Sequence, residues 1–195
     1  DFFIEKTDKQ KPNQYLFKDK WKKMRVDKEV FSVKDGKDVT KTLRYTHHGP
    51  VVSDLKDEKE LTLTMRWTGN DYSNEFRTIY LLNRAGNWSE FKNAIKSFKA
   101  ISQNINYADT QGNIGIYNAS GIPIRKKQQG HTLVPGWTGE HEWTGVVPFA
   151  QKPYEFNPKR GFVSSANNKT VGDSFPHYIT HWGFAHPARI NRINE

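Results

Sequence analysis

Between Pro123 and Arg160 a glycine or proline interrupts the chain every few residues, at Gly130, Pro135, Gly136, Gly139, Gly145, Pro148, Pro153 and Pro158. Proline removes a backbone donor and glycine raises the entropic cost of a regular element, so this stretch reads as a long irregular loop system. Five aromatic residues, Trp137, Trp143, Phe149, Tyr154 and Phe156, lie between the breaks and supply apolar area to pack it down. Loops held on a scaffold are common places for binding sites. The composition fits a core carried by rings. Only 35% of the 195 residues are hydrophobic, yet 13% are aromatic, including six Trp and twelve Phe. That is too much apolar bulk for a disordered chain.

The remainder reads mostly as strand. Leu61, Leu63, Met65 and Trp67 alternate with Thr62, Thr64, Arg66 and Thr68, the period-two pattern of a half-buried strand. Residues 30–33 and 39–45 flank Asp35-Gly36, which suits a hairpin turn. A second hairpin is expected where residues 105–108 and 114–117 flank a polar turn with Gly112. One helix stands out near residues 88–99. Trp88, Phe91, Ile95 and Phe98 fall at helical spacing, and Asn87 with Glu90 resembles a capping box.

Residues 1–6 start within a strand pattern, and a further helical pattern opens at Ala188 and runs into the tail. Both ends read as cut, so residues 1–195 are expected to be one segment of a longer polypeptide. Residues 1–122 would hold the strands and the helix, and residues 123–195 the aromatic loops and a site-bearing segment.

A formal net charge of +9 raises the question of an acidic partner, but the 30 Lys/Arg are interleaved with 21 Asp/Glu. No run reaches the five or six like charges of a nucleic-acid or membrane arm. The densest basic stretch, residues 18–25, contains Asp19 and Trp21 and reads as solvated surface. Neither a nucleic-acid partner nor a membrane span is expected. Cysteine is absent, which rules out disulfides and thiolate metal sites. Searches for a zinc-protease motif, a phosphate-cradling loop and a serine-hydrolase elbow find nothing. The seven histidines show no metal-ligand spacing. His177 and His181, beside Pro176, read as a packed or exposed pair. His47-His48-Gly49-Pro50 reads as a strand running into a turn, its imidazole satisfied by hydrogen bonds.

Whole phrases of the chain resemble the β-subunit of the penicillin acylase family, a branch of the N-terminal-nucleophile hydrolases. The most specific stretch begins Leu133-Val134-Pro135-Gly136-Trp137-Thr138-Gly139 and continues through Glu142-Trp143-Thr144-Gly145 and Val147-Pro148-Phe149. It runs on through Asn157-Pro158 and Gly161-Phe162-Val163 to Ala166-Asn167-Asn168, and closes with Ala185-His186-Pro187-Ala188-Arg189-Ile190. Earlier phrases are Asp1-Phe2-Phe3-Ile4-Glu5, Thr46-His47-His48-Gly49-Pro50-Val51 and Tyr107-Ala108-Asp109. The resemblance implies a sheet-rich α+β part of the αββα fold, with long aromatic loops and few helices. It also implies hydrolysis of N-acyl amides, such as penicillin side chains or acyl-homoserine lactones. The nucleophile would be an N-terminal Ser freed by self-cleavage of a precursor and using its own α-amine as base. That Ser would lie upstream of Asp1, so this piece alone is expected to be inactive.

Residue by residue, the resemblance makes Asn167 the side-chain donor to the oxyanion, a role suited to a neutral amide. It gives Arg189 the role of orienting the nucleophile and its amine or of holding a substrate carboxylate, since guanidinium matches planar acceptors, and places Asn104 close by. Ile79 and Gln103 match walls of the acyl pocket, and the polar Gln103 departs from a phenylacetyl-type pocket. Asp1 matches a calcium-ligand position, but the later carboxylate falls on Tyr178 and the ligand loop is shortened around His131-Thr132. No cofactor is expected, a structural calcium in the intact protein being the one ion the resemblance raises. The implied partners are a small N-acyl amide and the rest of the precursor, its α-subunit and remaining β-subunit, outside the cytoplasm. A reading from a different class is a basic, aromatic-loop module for an anionic cell-envelope polymer.

Overall fold

The structure, a computed structural model, describes residues 1–55, 60–127, 130–180 and 183–195. The first strands are β1 (Phe2–Glu5), β2 (Gln14–Phe17), β3 (Lys20–Lys23), β4 (Arg25–Phe31), β5 (Val39–Thr46), β6 (Gly49–Pro50) and β7 (Thr62–Met65). Helices α1 (Glu75–Leu82) and α2 (Trp88–Ile95) follow, then β8 (Gln103–Ala108) and β9 (Ile114–Ala119). The last elements are β10 (Pro123–Arg125), β11 (Leu133–Pro135), β12 (Trp143–Val146), β13 (Tyr154–Phe156) and α3 (Ala188–Asn194). Strands outnumber helices thirteen to three among the described residues, so the chain is a sheet-rich α+β protein. No helix among them is long and apolar enough to cross a membrane.

The chain forms two compact units. One comprises residues 1–67 and 125–142, the other residues 68–124 and 143–195.

In the first unit β1 is central. It pairs with β11 in parallel, Phe3 opposite Val134, and with β7 antiparallel, Phe3 opposite Thr64. Side chains alternate across a strand, so Phe3 and Glu5 share one face, and both are buried. Placing a carboxylate there dictates its surroundings. Glu5 Oε1 accepts from Thr64 Oγ1 at 2.8 Å, from Thr46 Oγ1 at 2.9 Å and from the His48 ring at Nδ1, 2.7 Å away. The alternation in 61–67 identified a strand, but its fully buried member is Thr64, because the nearby Glu5 carboxylate requires a hydroxyl.

His48 is 2% exposed and lies flat on Phe3, ring centroids 3.7 Å apart, with Nε2 3.0 Å from Glu142 Oε1. Burial opposes its charged form, but the bonds to Glu142 and Glu5 outweigh it and raise its pKa. An added Cβ on Gly136 would lie 2.5 Å from the Glu5 carboxylate, so the Pro-Gly-Trp turn needs a glycine for space.

Two hairpins complete this unit. Lys18 and Asp19, both at positive φ, make the two-residue turn between β2 and β3, and β3 is exposed throughout. The expected hairpin around Asp35-Gly36 is β4 paired with β5, with Asp35 at φ 59° in a loop spanning residues 32–38.

The second unit is built on the sheet β13-β9-β8, which contains the expected hairpin with Ala108 opposite Ile114. Asp109 shapes the turn by accepting from the backbone of Gln111 and Asn113 and from the Tyr107 hydroxyl. Phe91 and Ile95 of α2 bury against Tyr107, Tyr117 and Ala119, with Trp88, Phe98 and Phe149 at the margin. Asn87 caps α2 as expected, its Oδ1 accepting from Glu90 N at 3.0 Å; Glu90 itself accepts from Gly86 N.

Helix α1 has no counterpart in the sequence expectations. Phe76, Ile79 and Tyr80 are exposed, Leu82 is half-buried against the core, and the buried residue is Thr78, bonded to Ser97 at 2.9 Å. The 123–160 stretch is also more regular than its punctuation suggests, holding four short strands.

Two outcomes test these polar anchors. Thr64→Val, equal in shape but unable to donate to Glu5, should cost about 1.5–3 kcal/mol, the range for a bond to a charged group. Urea unfolding would measure it, and an unchanged midpoint would contradict the role. Glu75 fastens the start of α1 by accepting from Ser73 Oγ and from the backbone N–H of Lys99 and Ala100. Burial raises its pKa, but these bonds outweigh it and take it from the ordinary 4.5 down to about 2. A depressed carboxylate contributes stability above its unfolded pKa and loses it as the pH falls through the folded one. Stability should therefore decline from about pH 4.5 towards pH 2, and Glu75→Gln should flatten that decline in pH-dependent unfolding curves.

Candidate functional site

The second unit brings three of the sequence-selected residues into linked positions. Asn104 on β8 stands directly opposite Asn118 on β9, so their side chains share one face of the sheet. Asn118 Nδ2 donates to Asn104 Oδ1 at 3.1 Å, and Asn104 Nδ2 donates onward to Ser165 Oγ at 2.7 Å. Asn118 also accepts a short hydrogen bond from the Ser120 hydroxyl. This polar pair ties the segment carrying Asn167 to the sheet.

Next to Ser165, Ala166 is buried and its N–H donates to Asn168 Oδ1 at 3.0 Å. Asn167 takes φ 60°, a left-handed conformation that asparagine tolerates better than most L-residues. Its carbonyl accepts from Ala185 N at 2.8 Å, which draws in the chain just ahead of α3. Arg189, in the first turn of α3, then reaches Asn167, with Nη1 3.3 Å from Oδ1.

That contact sets the polarity of the amide. A guanidinium carries donors only, so the atom facing it must be the amide oxygen. The Nδ2 donors of Asn167 are left over, with no hydrogen bond to another described residue. Both side chains are exposed in this chain. Ser165 Oγ accepts from Asn104, and no imidazole, carboxylate or amine among the described residues bonds to it. The cluster therefore offers a neutral donor held by a cation, with no base-activated hydroxyl of its own.

Beside this cluster lies a cavity of about 540 Å³, lined by Asn104, Asn118, Lys152, Asn168, Thr170 and Phe175 among others. Asn167 and Arg189 do not line it. Lys152 is buried, and desolvation with the nearby charge of Lys99 lowers its pKa to about 8. Sequence reading missed Asn118, Ser165 and Lys152. Counting the hairpin register back from its turn would have found Asn118, but nothing in the sequence marks the other two.

The other sequence-selected candidates are Ile79, Gln103 and Asp1. Ile79 on α1 and Gln103 at the start of β8 are both exposed. Asp1 belongs to the first unit, where Arg125 places Nε on Oδ2 and Nη2 on Oδ1, each at 2.8 Å. With a guanidinium covering both oxygens, the residues present do not fit a calcium ligand at Asp1. His177 is bonded to Gln151 at 2.7 Å, and His181 lies outside the described residues.

Comparison with known proteins gives this arrangement a context. A family model described as penicillin amidase matches residues 1–195. Penicillin G acylase of Escherichia coli is 32% identical over 177 residues, covering 89% of this chain and 20% of that protein. An acyl-homoserine lactone acylase, QuiP, of Pseudomonas syringae pv. tomato is 28% identical over 200 residues, covering all of this chain and 24% of that one. Among solved structures, a thermostable penicillin G acylase from Alcaligenes faecalis superposes with a TM-score of 0.73 at 30% identity. That match covers 93% of this chain and 33% of the solved one. The chain thus spans a quarter or less of the length of these two relatives. Matched from end to end in sequence and over nearly all its length in structure, the chain belongs to the penicillin amidase family.

Proposed function

We propose that the intact protein carrying this chain hydrolyses N-acyl amides through an N-terminal serine supplied from outside residues 1–195, and that this chain provides the oxyanion donor and its support. The serine's own α-amine takes the hydroxyl proton as the hydroxyl attacks the acyl carbon. Negative charge then develops on the acyl oxygen, which Asn167 Nδ2 receives. A neutral amide suits this step, because it donates without needing prior protonation. Arg189 keeps Asn167 Oδ1 turned towards itself and so presents the donors. Asn104 positions the loop through Ser165. Ile79 and Gln103 border the acyl group.

The observation that carries this reading is the 3.3 Å contact from Arg189 to the oxygen of Asn167, which leaves the amide donors uncommitted. The substrate class is supported by the relatives' names, which include penicillin acylases and acyl-homoserine lactone acylases. Amides of either kind present the same carbonyl to the same donor. The partners of this chain are the remaining parts of its precursor, and outside that assembly it is inactive. Its address is outside the cytoplasm.

Substitution in the full-length protein tests the roles separately. Asn167→Ala should lower kcat about 10²–10³-fold on a chromogenic acyl amide while leaving self-cleavage products and folding intact. Arg189→Lys, which keeps the charge but loses the planar fork, should give a smaller loss confined to kcat. Unchanged turnover in Asn167→Ala would remove that residue from the site.

A further inference from the structure

The linear sequence gives its histidines no metal-ligand spacing, yet the fold of the first unit brings two of them onto one distant carboxylate. His48 Nε2 lies 3.0 Å from Glu142 Oε1, and His47 Nε2 lies 3.6 Å from the same oxygen. One ligand atom from each of the three residues falls within 4.8 Å of the others. A tetrahedral ion with bonds of about 2.0–2.2 Å holds its ligand atoms roughly 3.3–3.6 Å apart. The two ring-to-carboxylate distances bracket that spacing.

What surrounds the three residues matches it. A ring that gives one nitrogen to a metal is normally held by a hydrogen bond at its other nitrogen. Here both rings are. His48 Nδ1 is 2.7 Å from the buried Glu5 carboxylate, and His47 Nδ1 is 3.2 Å from the Tyr15 hydroxyl. Because a carboxylate only accepts, Glu5 fixes the proton of neutral His48 on Nδ1 and points the Nε2 lone pair at Glu142. Two acceptors 3.0 Å apart need a positive species between them, either a proton on Nε2 or a metal ion. The rings also sit close, their centroids 3.8 Å apart, with His48 stacked on Phe3. His48 is buried whereas His47 is exposed, so the cluster opens to solvent on one side. That opening gives an ion a way in and leaves room for water as a fourth ligand.

We propose that His47, His48 and Glu142 bind a divalent transition-metal ion of the zinc type, with Glu5 and Tyr15 orienting the two imidazoles. Two imidazoles and one carboxylate suit zinc, whereas calcium takes six to eight oxygens. On binding, the ion replaces the proton on His48 Nε2, and that proton is released to solvent. The site shares no residue with the Asn167–Arg189 group, so it stands or falls independently of the hydrolase reading.

The test uses the full-length protein, treated with chelator and dialysed, then titrated calorimetrically with zinc chloride. The wild type should take up zinc with a component of one equivalent that is lost in His47→Ala and in Glu142→Gln. His47 is exposed, so its replacement leaves the fold intact, as circular dichroism would verify, and that variant decides alone if Glu142→Gln fails to fold. Tyr15→Phe should weaken the same component about 10–100-fold. Cobalt(II) in place of zinc should give the visible absorption of a four-coordinate site, again lost in His47→Ala. Zinc binding that is absent from the folded wild type, or unchanged in stoichiometry and affinity in His47→Ala, overturns the proposal.

Discussion

A guanidinium cannot accept a hydrogen bond, and the candidate chemistry of this chain rests on that restriction. Because Arg189 donates to Asn167, the asparagine must offer its oxygen there, and its two N–H donors point elsewhere. An asparagine without such a neighbour could present either end of its amide. The contact in turn needs two other features. Asn167 must hold a left-handed backbone, and the chain at Ala185 must be bonded to it so that α3 begins within reach. Asn104 completes the support by joining the sheet to Ser165, two residues before Asn167.

The first unit solves a different problem, that of a carboxylate buried in a strand. Burying an unpaired charge is prohibitive, so Glu5 Oε1 accepts from two hydroxyls and an imidazole. This explains why Thr64 rather than Leu63 or Met65 faces the interior, and why the neighbouring turn uses Gly136. It also explains the fixed orientation of His48, the feature from which the metal proposal follows.

Local structure was legible wherever one short-range signal sufficed. The Asn87 cap with its apolar periodicity gave α2, and the polar turn around Gly112 gave the β8–β9 hairpin. Helix α1 was harder to read, because it exposes Phe76 and Tyr80 and buries Thr78, so burial does not follow side-chain polarity along it. The short strands within the aromatic loops were hidden for a similar reason. β11 is only three residues long and exists through its pairing with β1, more than a hundred residues earlier in the chain. Of the candidate site, the family phrases marked Asn104, Asn167 and Arg189, but spacing alone could not join them. The grouping of His47 and His48 with Glu142 is likewise a product of tertiary structure. Asp1 shows the opposite case, a family position whose local partner in this chain, Arg125, occupies the oxygens a cation would use.

Which atom of Asn167 faces the substrate would be measured by a structure of the full-length protein bound to a tetrahedral acyl-transfer analogue. Asn167 Nδ2 should lie within about 2.7–3.1 Å of the analogue's oxyanion, with Oδ1 still on Arg189. An analogue oxygen held by other donors, with the Asn167 amide turned away from it, would show that Asn167 is not the oxyanion donor.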